Sequence, residues 1–220
     1  MSGRARVDST PHAAFAIWTA RFSIASGFLF VFLLTSLHIL EPEFDPTWRF
    51  ISEYALGSFG WMMQLSFFLI AASLASIGFV ILSQQRSIVA YIGLIILWIS
   101  AAGLFLAGVY VTDPIAAYQQ HATFSGRMHV LGASLDYTPV AALVLSFALI
   151  RKESWQRVRV RLIVTSAITL ALMFAFMLFL PRDGVFGPGV YAGFVGRLLL
   201  VSYVAWIVSV GRRYIKLAQE

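Results

Sequence analysis

The sequence contains no cysteine, which excludes disulfide bridges, thiolate metal sites, cysteine-ligated iron–sulfur clusters and a cysteine nucleophile. It is also poor in charge: only 12% of its 220 residues are Asp, Glu, Lys or Arg, about half the share usual in a soluble domain. What is there instead is apolar. Hydrophobic residues make up 60% of the chain and the mean hydropathy is +0.83, a composition that excludes a soluble globular protein. A chain of this length holds several membrane spans of about 20 residues each, with no room for a sizeable soluble domain beside them.

Six apolar runs, at about 17–40, 60–82, 88–111, 128–150, 162–180 and 191–211, are each long enough to cross a bilayer. The expected fold is all-α: one integral membrane domain over residues 1–220, a polytopic bundle of six transmembrane helices with short interfacial helices on its outer face. The first run is too long for a signal-peptide core and ends at Glu41 without a small-residue cleavage site, so it reads as a retained helix.

A net charge of +6 and a pI near 10.0 would suit a nucleic-acid binder only if the basic residues shared one solvated surface. Threading six spans through a membrane separates them instead. Twelve Lys and Arg fall on the side of the termini and four on the other, whereas the acidic residues divide three to seven the opposite way. Basic loops stay cytoplasmic, so the expectation is a membrane protein with both termini inside and lipid, not nucleic acid, as its surroundings. The basic stretch from Arg151 to Arg161 reads as an anchor at the anionic leaflet. Trp18, Trp61 and Trp155 read as an aromatic belt at the membrane edges.

The remaining polar residues gather toward the outer side. Asp136 stands 14 residues before Ile150 and Arg197 stands 14 before Gly211, so each lies about 21 Å from the inner boundary by the helical rise. Charges at such depth must be paired or line a wet cavity, and they are functional candidates by default. The expectation is that Asp136 and Arg197 pair or flank one cavity; a purely structural pair carries equal weight. His129, Gly132, Ala133 and Asp136 share one helix face, which leaves either space for a ligand or a close helix contact. Pro139 should kink the helix near Leu135.

Two outer connections share a layout in which Asp-Pro (Asp45-Pro46, Asp113-Pro114) precedes a polar segment and then a glycine, Gly57 or Gly126. Aspartate before proline predicts that each caps a short surface helix. Those segments would present Ser52, Glu53 and Tyr54 on one side of the cavity mouth, and His121 and His129 on the other.

Ser52-Glu53-Tyr54 before Gly57, Thr112-Asp113-Pro114, Gly126-Arg127-Met128-His129 and Gly196-Arg197 resemble the prokaryotic membrane family known as domain of unknown function 998. The resemblance runs over nearly the whole chain and implies six helices in the plasma (inner) membrane of a prokaryote, with Glu53, Asp113, His129 and Arg197 forming an outer cluster. It implies no activity. Three functions fit these residues. In an enzyme that hydrolyses or modifies a lipid or isoprenoid, Glu53 or His129 would act as base and Arg197 would hold an anion. Ser52, Tyr54 and Asp136 would bind the ligand, and a divalent metal could sit on Asp113 and His129. A transporter or receptor would bind a small amphipathic ligand without chemistry. A redox protein would ligate haem through His38 and His129.

Overall fold

The computed structural model describes residues 11–115 and 122–220, with side chains in the first helix from Ala14 onward. In chain order the helices are α1 (Pro11–Leu40), a 3-10 helix (Ile51–Leu56), α2 (Gly60–Gln84) and α3 (Ile88–Val109). Then come α4 (Phe124–Ser134), α5 (Thr138–Ile150), the single turn α6 (Glu153–Gln156), α7 (Arg159–Phe179) and α8 (Ala192–Leu217). No strand occurs among the described residues. Six segments are long and apolar enough to cross a membrane, with α4 and α5 together forming the fourth. Phe32, Phe79, Ile95, Phe147 and Phe174 are exposed on the flanks of different spans, where only lipid would accept so much apolar surface. The chain is a multi-pass helical membrane protein.

The spans close into a ring. α1 packs on α2, α2 on α3, α3 on α4 and α5, α5 on α7, α7 on α8, and α8 back on α1. Small residues set these contacts, as they do where lipid removes the hydrophobic drive for helix association. Ser23 and Ser73 each donate to the other's backbone carbonyl at 2.7 Å, joining α1 to α2. A side-chain carbon at Gly103 would stand 2.5 Å from the Gly132 carbonyl oxygen, so α3 and α4 meet backbone to backbone.

One end of the bundle carries Glu41, Glu43, Asp45, Glu53, Asp113 and Asp183; it is called here the acidic end, and the opposite one the basic end. At the basic end Trp155, on α6, is fully buried rather than placed in an aromatic belt, whereas Trp18 and, at the acidic end, Trp61 are exposed. Arg213 is also buried, its Nε donating to the Ser154 carbonyl at 2.9 Å. That bond ties α8 to the basic connection.

The fourth span is two helices. Pro139 has no N–H to give the Leu135 carbonyl, and the chain breaks at Leu135–Tyr137. Tyr137 N–H turns instead to the Leu135 carbonyl at 3.1 Å and to Ser100 Oγ at 2.9 Å. The break divides the packing as well. α5 packs against both α3 and α7, whereas α4 packs chiefly on α3. On α7 the buried residues, Leu162, Ser166 and Thr169, all belong to the half toward the basic end. In the acidic half, α4 and the α7–α8 pair therefore stand apart.

Candidate functional site

Two buried carboxylates start the helices that return from the acidic end. Glu41, at the end of α1, is 1% exposed and its Oε1 accepts from Phe59 N–H at 2.6 Å, at the N-cap of α2. Asp113 accepts from both the backbone N–H and the hydroxyl of Thr123, each at 2.8 Å. Thr123 in turn caps α4 by accepting from Gly126 N–H at 3.0 Å. Helix N-termini favour this charge because their first N–H groups lack partners.

The glycines are part of the same device. A side-chain carbon at Gly57 would stand 2.1 Å from Glu41 Oε1, and one at Gly126 would stand 2.0 Å from Asp113 Oδ2. In the first connection the anchoring carboxylate is Glu41, not Asp45. Asp45 makes a local turn, its Oδ1 accepting from Thr47 N–H at 2.8 Å and from the Thr47 hydroxyl at 2.6 Å. These bonds hold its carboxyl below the usual range. Asp113 likewise serves the returning helix. The helix expected after Asp113-Pro114, and His121 with it, lie outside the described residues.

Glu53 joins the two connections. Its Oε1 accepts from Ile115 N–H at 3.1 Å, and Arg49 Nε lies 3.1 Å from Oε2, near enough for an ion pair but poorly aligned for a hydrogen bond. Burial pushes the Glu53 carboxyl above its usual range, with the Ile115 N–H and Arg49 opposing.

Arg197 holds the first connection onto the bundle. Its Nε donates to His38 Nε2 at 2.8 Å, Nη1 to the Arg49 and Gly193 carbonyls at 2.6 and 3.0 Å, and Nη2 to the Tyr54 hydroxyl at 3.3 Å. The guanidinium also stands over the Tyr54 ring, 5.5 Å from its centre. The expected Asp136–Arg197 pair does not form: Arg197 is committed to α1 and the first connection. Because His38 Nε2 accepts, its proton sits on Nδ1 and goes to the Leu34 carbonyl at 2.6 Å. Both ring nitrogens are thereby occupied, and His38 has none left for a haem iron.

Asp136 lies in the break of the fourth span, not on the face of a continuous helix. Its Oδ1 accepts from Thr138 N–H at 3.1 Å and its Oδ2 from the Tyr203 hydroxyl at 2.9 Å. It thus caps α5 and ties it to α8. His129 sits on α4 where the Gly103–Gly132 contact draws that helix against the end of α3. Its Nδ1 lies 2.8 Å from the Ala107 carbonyl and 2.9 Å from that of Tyr110. Both partners only accept, so Nδ1 carries the proton and Nε2 keeps a lone pair.

These two residues share a cavity of about 250 Å³ between the 3-10 helix, α2, α3, α4, α7 and α8. Phe67, Leu104, Phe176, Leu199 and Leu200 make its apolar wall, and Ser52, Thr112, His129, Asp136 and Tyr203 its polar patch. Glu53, Tyr54 and Arg197 are not in that wall, so the set expected to be catalytic divides between an anchoring network and a cavity. Each Asp113 oxygen accepts one hydrogen bond from Thr123, and no group of three His, Asp or Glu that could hold a metal occurs among the described residues.

A family model, that of the proteins of unknown function DUF998, matches residues 24–213. The chain belongs to that family. The match covers most of the bundle and both the anchoring network and the cavity, so they sit within the DUF998 unit. No curated protein and no solved structure matches the chain.

Sequence reasoning missed Glu41, Thr123 and Tyr203. Tyr203 follows Arg197 by six residues, about 9 Å further into the bundle, and a tyrosine that deep needs a hydroxyl partner. That was a usable signal for Asp136. Glu41 gave none, because a carboxylate at the end of a span usually marks only the water boundary.

Proposed function

We propose that this protein binds an amphipathic, lipid-like molecule drawn sideways from the outer leaflet into the cavity between α4 and the α7–α8 pair. The observation that carries the reading is the divided fourth span. The half toward the basic end is packed on both sides, while the half toward the acidic end leaves an apolar cavity with a polar patch at membrane depth. Such a site suits a ligand with an apolar body and a few fixed hydrogen bonds. The distribution of Lys and Arg supports a plasma membrane orientation with the basic end cytoplasmic.

Co-purification tests this. Lipid retained by the detergent-purified chain is identified by mass spectrometry and compared with that of Ala133→Phe, which adds bulk at an exposed position of the cavity wall. Selective loss of one lipid class in a variant of unchanged melting temperature supports the reading. The same lipids in both proteins would overturn it.

A catalytic reading of the same cavity has one observation in its favour: the His129 tautomer leaves Nε2 able to take a proton from a ligand hydroxyl. It lacks the convergence of Glu53 and Arg197 on that histidine, and binding without chemistry accounts for the geometry more fully. Release of a cleaved product that depends on His129 would favour the enzyme.

A further inference from the structure

Resting on that reading, the donor and acceptor balance of the cavity points to the chemistry of the ligand's polar end. We infer that the site takes an uncharged, hydroxyl-bearing head group and rejects a phosphate or carboxylate. Among the described residues the wall contains no Lys or Arg. Arg197, on the same helix as five of the lining residues, is outside the wall and gives four of its five N–H groups to His38, Arg49, Gly193 and Tyr54. Apart from Ser52, the side-chain hydrogen-bond donors of the polar patch are spent too. Tyr203 gives its hydroxyl proton to Asp136, Thr112 gives its own to the Asp113 carbonyl at 3.2 Å, and the His129 ring proton lies on Nδ1 between two carbonyls.

What remains available is mostly acceptor: the His129 Nε2 lone pair and the unused lone pairs of Asp136, with the Ser52 hydroxyl able to act either way. An anionic head would meet a carboxylate and a single available hydroxyl donor, and a buried anion needs several donors or a cation. An alcohol can donate to His129 or Asp136 and accept from Ser52. Its chain would then run along Phe67, Leu104, Phe176 and Leu199 toward the gap beside α4.

The test uses two probes that differ by one phosphate, 1-oleoylglycerol and 1-oleoylglycerol 3-phosphate, competing for radiolabelled 1-oleoylglycerol on the detergent-purified full chain. The expected result is at least tenfold tighter binding of the uncharged probe, and reversal of that order in Ala133→Lys, which places a cation in the wall at an exposed position. Phosphate binding as tight as that of the alcohol in the natural chain would overturn the head-group inference alone. An order unchanged in Ala133→Lys would overturn it as well. If neither probe is retained, the cavity reading itself fails.

Discussion

Arg197 Nε donates to His38 Nε2 across 2.8 Å, joining α8 to α1 through two side chains 159 residues apart in the chain. The same guanidinium satisfies the Arg49 carbonyl and the Tyr54 hydroxyl, so its removal orphans several groups in one step. Each buried polar group left without a partner costs about 1–3 kcal/mol. Arg197→Met is expected to lower unfolding stability in detergent by about 3 kcal/mol on that scale. Arg197→Lys, a single point donor in place of a planar fork, should restore only part. Equal stability of Arg197→Met and the natural chain would remove the anchoring role.

The glycine and carboxylate pairs make a second prediction. Gly57→Ala and Gly126→Ala each force a methyl group into a carboxylate and should destabilise the chain, while Gly187→Ala, with nothing within 4 Å, should not. The Gly57→Ala penalty should shrink in a Glu41→Ala background, giving a coupling of about 1 kcal/mol or more in a double-mutant cycle. Additive effects would contradict the contact.

The number and approximate ends of the spans were legible in the sequence because lipid imposes a length and a composition that few other structures share. A kink at Pro139 was legible from a missing N–H, whereas the full division of the span into two helices was not. Partners were less so. Depth along two helices placed Asp136 and Arg197 at one level, but depth fixes neither the rotation of each helix nor the alternative acceptors nearby. Arg197 found carbonyls of the first connection, and Asp136 found a tyrosine on the very helix that carries Arg197. The aspartate in Asp45-Pro46 and the glutamate at position 41 differ only in which can reach the N-terminus of α2, a matter of loop path that local motifs do not encode.

Glu53 gives a prediction about pH. Its carboxyl is raised by burial, so the stability it contributes is complete below the ordinary carboxylate value of about 4.3 and is lost as pH rises through the raised one. Glu53→Gln keeps an acceptor for the Ile115 N–H and does not titrate. The melting temperature of the natural chain minus that of Glu53→Gln should therefore fall as pH rises from about 4 toward neutrality. A difference that grows with pH would mean that the ion pair with Arg49 outweighs the burial of Glu53.

The pairing of Asp136 with Tyr203 can be tested apart from any ligand. Tyr203→Phe removes the hydroxyl that donates to Asp136 Oδ2 and should cost about 1–3 kcal/mol by the same rule for orphaned buried groups. Tyr203→Phe combined with Asp136→Ala should cost less than the sum of the two single changes. Unchanged stability of Tyr203→Phe would show that the bond does not hold α5 to α8.

The central claim is that a lipid-like molecule enters between α4 and the α7–α8 pair. A 1-oleoylglycerol analogue carrying a diazirine in its acyl chain, crosslinked in reconstituted vesicles and mapped by peptide mass spectrometry, tests it most directly. The account predicts saturable adducts concentrated on His129–Asp136, Phe176 and Gly196–Tyr203, competed away by unlabelled 1-oleoylglycerol. Adducts spread over the exposed faces of α1, α2 and α3, with no competition and none in the cavity, would contradict it.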